Sequence, residues 1–181
     1  MKNRIYLRAL EEDDYITSVS WRNDNSITSL LGGGKYFVSK QIERSWVQKA
    51  INDNLNIRLA ICTIESNLYI GNIYLTEIDY INRKANTQIL IGNHKFWNCG
   101  YGTEAMLLLL DYAFNHKNLH KVQAIVLKDN IASLKMHKKL GYIEEGLLRE
   151  NIYKDGKYKD QVILSLLKSE YKEICLSKKS Y

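Results

Sequence analysis

The spacing of apolar residues changes several times along the chain, and each change predicts an element. "RIYLRAL" (4–10) reads as a strand. "EEDDYITSVSWRND" (11–24) is acidic at its start and apolar at Tyr15, Val19 and Trp21, which predicts a helix. "SLLGGGKYF" (29–37) interrupts the pattern with three glycines and is expected to be a mobile loop. "SKQIERSWVQKAIND" (39–53) starts at a Ser39 cap and brings Ile42, Trp46, Val47 and Ala50 near one face of a second helix. "IRLAICTIE" (57–65) and "LYIGNIYLTEID" (68–79) are strands joined by the short polar "SN", and "ANTQILIG" (85–92) is a third.

A glycine loop and a helix occupy about 98–117, followed by a buried-looking strand, "KVQAIVL" (121–127). "NIASLKMHKKLG" (130–141) is a helix capped by Asn130 and ended by Gly141. "YIEEGLLRENIY" and "KYKDQVILSLL" flank "KDG" and predict a hairpin around Asp155-Gly156. The order is strand, two helices, three strands, helix, strand, helix, two strands. The fold class is therefore α+β, a mixed sheet of about seven strands packed between helices, not a strictly alternating doubly wound fold.

Composition narrows this picture little. The 181 residues fit one domain, with a tail expected to fray from about 170, and 45% apolar residues suffice for a sizeable core. The apolar run Ala105–Leu110 is far too short to span a membrane, and the N-terminus turns polar before a signal-peptide core could form. A soluble, cytoplasmic protein is expected. Cys62, Cys99 and Cys175 form no CxxC pair, so neither a metal site nor a disulfide framework is indicated. The net charge of +6 suits an anionic partner or a lysine-rich solvated surface. No nucleic-acid-binding module or aromatic-basic repeat accompanies that charge, so nucleic acid is disfavoured.

"FWNCGYGTEAMLLLLDYAF" (96–114) carries the chemistry. The first amides of a helix lack intrahelical partners, and glycine lets the backbone approach a bulky anion. Gly100-Tyr101-Gly102 ahead of a helix can therefore cradle phosphate, while the apolar stretch anchors the helix. A tight, well-packed turn explains the same glycines. No Lys-Ser/Thr pair follows, so this is not a Walker loop, and the mid-chain position argues against a dinucleotide fingerprint.

"WNCGYGTEAMLLLLDYAF", "HKVQAIVLKDNIASLKMHKKLGYIEEGLLRE" and "YKDGKYKDQVILSLLKSEY" together resemble the GNAT family, the Gcn5-related N-acetyltransferases. The branch most similar contains ribosomal-protein N-terminal and spermidine acetyltransferases, and the likeness covers essentially the whole chain. The resemblance implies acetyl-CoA as cosubstrate. The backbone at Cys99, Gly100, Tyr101, Gly102 and Thr103 would hold its diphosphate. Ile89, Leu90 and Ile91 would bind the pantetheine arm through their main chain, and Asn130 would contact the cofactor from the next helix. Trp97 departs from the Gln or Arg common at its place, and Asn98 and Cys99 replace a common glycine and a basic residue.

Acetyl transfer needs a neutral amine, yet only about one lysine-like amine in a thousand is unprotonated at neutral pH. A base must take that proton. His137 stands four residues before Gly141, where the resemblance implies a proton-donating Tyr. Its imidazole could donate to the leaving sulfur or relay the amine's proton; it also falls on the apolar face of Ile131, Leu134 and Leu140 and could simply pack there. The resemblance would set a Glu where Asn86 stands, so Glu77 and Asp79 on the neighbouring strand are the alternative bases. Glu104 is explained by the helix dipole. Tyr153 and Tyr158 could line a substrate groove. The expected partner is an amine acceptor: a protein N-terminus or a small molecule, with a polyamine or aminosugar as alternatives. A homodimer is compatible with the sequence. A non-catalytic acyl-CoA-binding module is the competing reading.

Overall fold

The computed structural model describes residues 3–33 and 37–177, so part of the expected glycine loop, residues 34–36, lies outside the described residues. Seven strands form one sheet in the order β1-β2-β3-β4-β5-β7-β6. They are β1 (Ile5–Ala9), β2 (Ile57–Thr63), β3 (Tyr69–Asp79), β4 (Lys84–Ile91), β5 (Lys121–Leu127), β6 (Ile143–Lys154) and β7 (Lys157–Leu167). Every neighbouring pair is antiparallel except β4 and β5, which are parallel. The mixed α+β architecture expected from the periodicity is the one observed.

The helices are α1 (Tyr15–Asn23), α2 (Asn25–Thr28), α3 (Lys40–Ile51), α4 (Tyr101–Asp111), α5 (Ile131–Lys139) and α6 (Lys168–Ser177). A 3-10 turn over Glu12–Asp14 leads into α1, so the expected 11–24 helix is built in two pieces. The short α2 is started by Asp24, whose carboxylate accepts from the Ser26 amide. The tail expected to fray from about 170 is helical to Ser177.

Two clusters of buried side chains flank the sheet. The larger packs α4 (Met106, Leu109, Leu110) and Phe114 against Ile73, Leu75, Val122 and Leu164. The smaller packs Trp21, Ile27 and Ala50 against Ala60, Cys62 and Tyr69. One helical position differs from expectation. Ile42 is 56% exposed and its neighbour Glu43 is buried, because Glu43 finds Ser18 and Arg22 on α1 as polar partners. The hairpin turn is as expected: Asp155 and Gly156 both have positive φ, at 51° and 81°.

Candidate active site

The sheet carries a wedge at its centre. β4 and β5 pair only over Lys84–Asn86 with Lys121–Gln123, then diverge. Thr87 closes the apex: its hydroxyl donates to the Gln123 carbonyl at 3.0 Å and lies 3.2 Å from the Tyr142 hydroxyl. The wedge opens into a cleft of about 500 Å³ walled by β4, β5, α5, Arg22 and Leu30–Gly33.

The register fixes which main-chain groups of β4 face this cleft. The Gly92 amide donates to the Ile70 carbonyl at 2.8 Å. Hydrogen-bonded pairs alternate along an antiparallel ladder, so Leu90, opposite Asn72, also spends its main-chain groups on β3. Ile89 and Ile91 turn theirs toward the diverging β5. The Ile91 carbonyl accepts the Trp97 indole N–H at 2.7 Å. The free edge is thus both main-chain groups of Ile89 and the Ile91 amide. The expectation that Leu90 offers main-chain groups is corrected by this alternation, although the residue still lines the cleft and packs against the smaller core cluster.

At the wide end of the wedge lies the start of α4. Gly100 is the N-cap, with φ of +84° and no side-chain cap. The first helical bond runs from the Glu104 amide to the Gly100 carbonyl at 3.0 Å, so the amides of Tyr101, Gly102 and Thr103 precede it and stay open. A Cβ on Gly102 would lie 3.4 Å from Met136 Sδ and 3.8 Å from Ile89 and Ile91, so α4, α5 and β4 converge there. Buried Ala105, Met106, Leu109 and Leu110 hold the helix in place. Cys99, in the exposed loop, has its carbonyl turned to the Arg4 guanidinium at 3.1 Å. Glu104 does more than favour the dipole: it accepts from the Arg4 amide at 2.6 Å and pairs with the Arg4 guanidinium at 2.9 Å, fastening β1 to α4.

Asn130 caps α5 through the Ser133 amide at 3.1 Å, and its amide group donates to the Leu30 carbonyl at 3.0 Å. Both ends of that side chain are engaged within the protein, and it lines the cleft while tying the 30–33 loop to α5.

His137 is 2% exposed and lies at the cleft wall, its ring edge-on to Tyr142 at 4.8 Å. Nδ1 lies 2.8 Å from the Ser133 carbonyl, which can only accept, so Nδ1 carries the proton. Nε2 is then a lone-pair acceptor, buried and without a partner among the described residues. Burial pushes the imidazole pKa below its ordinary value, which keeps the ring neutral. Packing and an unpartnered, buried lone pair therefore coexist in one residue at the cleft wall. A neutral ring of this tautomer has no proton on Nε2 to donate, so the general-acid role is the one this arrangement disfavours.

Glu77 sits at a bulge in β3, where the register shifts between Thr76 and Asp79, with φ of 52°. Its amide donates to Asn56 at 2.9 Å, and its carboxylate accepts from Asn86 at 2.7 Å. Glu77 and Asn86 both line the cleft and a second depression of about 230 Å³ beside it. Asp79 is spent on a turn, accepting from Ile81 and Asn82, which hold its carboxyl below the usual range. Tyr153 and Tyr158 contact each other at 5.3 Å, are both 64% exposed, and do not line the cleft.

Sequence reasoning missed Arg22 and Tyr74, which also line the cleft. The available signal was the i, i+4 pair Ser18 and Arg22, a polar stripe on α1 that needs a polar partner.

These open amides, the free strand edge and the orphaned imidazole nitrogen suit an elongated ligand with linked phosphates at one end and an amide-bearing arm. The acetyltransferase (GNAT) domain family model matches residues 4–143. A spermidine N(1)-acetyltransferase of Vibrio cholerae is 32% identical over 172 residues, covering 94% of this chain and 97% of the relative. An uncharacterised N-acetyltransferase, p20 of Bacillus licheniformis, is 32% identical over 174 residues, covering 93% and 95%. The solved structure of the Vibrio cholerae spermidine N-acetyltransferase with CoA and spermine matches with a TM-score of 0.86 at 30% identity, covering 94% of this chain and 99% of that one. The chain belongs to the GNAT acetyltransferase family, and it is an N-acetyltransferase that uses acetyl-CoA.

Proposed function

We propose that the β4–β5 cleft is where the acetyl group passes to the primary amine of a small molecule. The observation that supports this reading is the wedge: it leaves a strand edge unpaired in the cleft that Glu77 lines, and the start of α4 approaches the same strand where Gly102 faces Ile89 and Ile91. Acetyl-CoA supplies an activated acyl group on a thiol leaving group. The amides of Tyr101, Gly102 and Thr103 hold the diphosphate, and Gly100 and the Cys99 backbone leave room for it. Ile89 and Ile91 bind the pantetheine arm through their main chain, while Leu90 and Asn130 shape the wall.

The amine arrives as an ammonium ion. Glu77 accepts its proton, directly or through water, and the Asn86 amide keeps the carboxylate aimed. His137 offers Nε2 as a hydrogen-bond acceptor for a donor N–H or for the proton moving off the nitrogen. The thiol leaves without strong assistance, since its pKa is about 8.5.

A polyamine acceptor is the second reading, supported by the name of the Vibrio cholerae relative. Against it, Glu77 is the single carboxylate lining the cleft among the described residues. The test is thiol release from acetyl-CoA across an amine panel, with mass spectrometry of the product. Glu77→Gln is expected to lower kcat by about 100-fold or more, with acetyl-CoA affinity unchanged. An unaltered kcat removes Glu77 from the chemistry.

A further inference from the structure

The geometry points to an acceptor that carries an anionic group, carboxylate or phosphate, as well as its amine, with Arg22 as the residue that reads the anion. This deepens the reading of the cleft given above and rests on it.

Arg22 lies in the last turn of α1 and lines the cleft. Its ion-pair partner is Glu43, with Nε to Oε2 at 3.7 Å, too long for a hydrogen bond. Glu43 is 2% exposed and is anchored by the Ser18 hydroxyl at 2.6 Å. A buried carboxylate needs a counter-charge, and this one fixes the Arg22 stem without using up its donors. The Arg22 side chain is 42% exposed, and its guanidinium makes no hydrogen bond among the described residues. A planar fork of free N–H groups suits two oxyanion oxygens. Tyr74 lies beside it in the cleft wall, and burial raises the phenol pKa, so its hydroxyl remains a donor.

The charges decide the class of acceptor. Among the described residues, Arg22 and Glu77 are the charged side chains lining the cleft, one of each sign. A polycation would have one carboxylate to share among its ammonium groups and would meet Arg22 with the wrong sign. A molecule with one amine and one carboxylate or phosphate meets both. The net charge of +6 favours its approach over that of a polycation.

Matched acceptors test this on the full chain: glucosamine against glucosamine 6-phosphate, cadaverine against lysine, and spermidine. The anionic member of at least one pair is expected to show at least about tenfold higher kcat/KM, and the two pairs separate phosphate from carboxylate. Arg22→Met should erase that preference by raising KM for the anionic member only, and Arg22→Lys should restore part of it. The double variant Arg22→Met/Glu43→Gln keeps the comparison valid if the lone carboxylate impairs folding. Calorimetric binding of the same pairs to the enzyme loaded with coenzyme A gives the ranking without turnover. Spermidine as the best acceptor, equal binding within both pairs, or an Arg22→Met effect on acetyl-CoA affinity instead would overturn the inference. Glu77→Gln separates the two readings: it slows all acceptors alike, and its failure to do so leaves the Arg22 ranking untouched.

Discussion

His137 joins two properties usually found apart, a fully packed ring and a ring nitrogen with no hydrogen-bond partner among the described residues. Its burial has a consequence for acid stability. The unfolded imidazole binds a proton near pH 6.5, and the folded one only at lower pH. The stability contributed by the neutral ring is therefore complete above about pH 6.5 and is lost as pH falls through the lowered folded value. His137→Phe keeps a buried aromatic ring, somewhat larger, without a titratable nitrogen and should flatten the acid limb of urea midpoints measured from pH 7.5 to 5. The same variant should reduce turnover while leaving acetyl-CoA affinity intact; normal turnover would mark a packing residue. The glycines give a second residue-scale expectation. At Gly100, with φ of +84°, Ala should cost about 1–2 kcal/mol in thermal unfolding. At Gly102, Ala makes ordinary contacts, whereas Leu should weaken acetyl-CoA binding at least tenfold, about 1.4 kcal/mol. The sequence pattern drew attention to both glycines, ahead of an apolar helix, and the family resemblance drew attention to His137. The tautomer of His137 was not legible, because the Ser133 carbonyl that fixes it is a main-chain group. Nor was Glu43: helical periodicity favours Ile42 inside, and only Ser18 and Arg22, on another helix, reverse that choice.

Among the elements, strands and long helices follow the apolar period closely, because each buries one continuous face. The departures come where a side chain, not a period, sets the boundary. Asp24 starts the four-residue α2, and a turn of that length has no periodicity to read. The bulge that aims Glu77 is equally silent in sequence, since "LTEID" continues the alternation while the backbone at Glu77 turns to positive φ. The wedge depends on pairing between β4 and β5, elements 30 residues apart, and on where that pairing stops. Thr87 marks the stop, its hydroxyl replacing the next ladder bond to Gln123. Thr87→Val keeps the shape and removes that bond, so unfolding should be easier by about 1–2 kcal/mol. The loss should come with weaker acetyl-CoA binding if the apex sets the cleft width, a comparison made by calorimetry on the folded variant.

For the molecule as a whole, the sheet is continuous in hydrogen bonding only through the three-residue contact between β4 and β5. A ligand that binds the folded cleft and not the unfolded chain adds about 2.7 kcal/mol at a hundredfold excess over its Kd. For a chain of this length that corresponds to a rise in Tm of about 5–10 °C, read by scanning calorimetry with and without acetyl-CoA. An unchanged Tm at saturation would contradict specific binding to the native state. The short contact also has a mechanical meaning. Strands β1–β4 and strands β5–β7 are two plates riveted at one corner; beyond Thr87 no ladder joins them, and they are held by the core that α4 packs on both. Pulled apart by its ends, the molecule should tear along this seam before either plate frays, and a guest lying in the gap should act as the missing stitches.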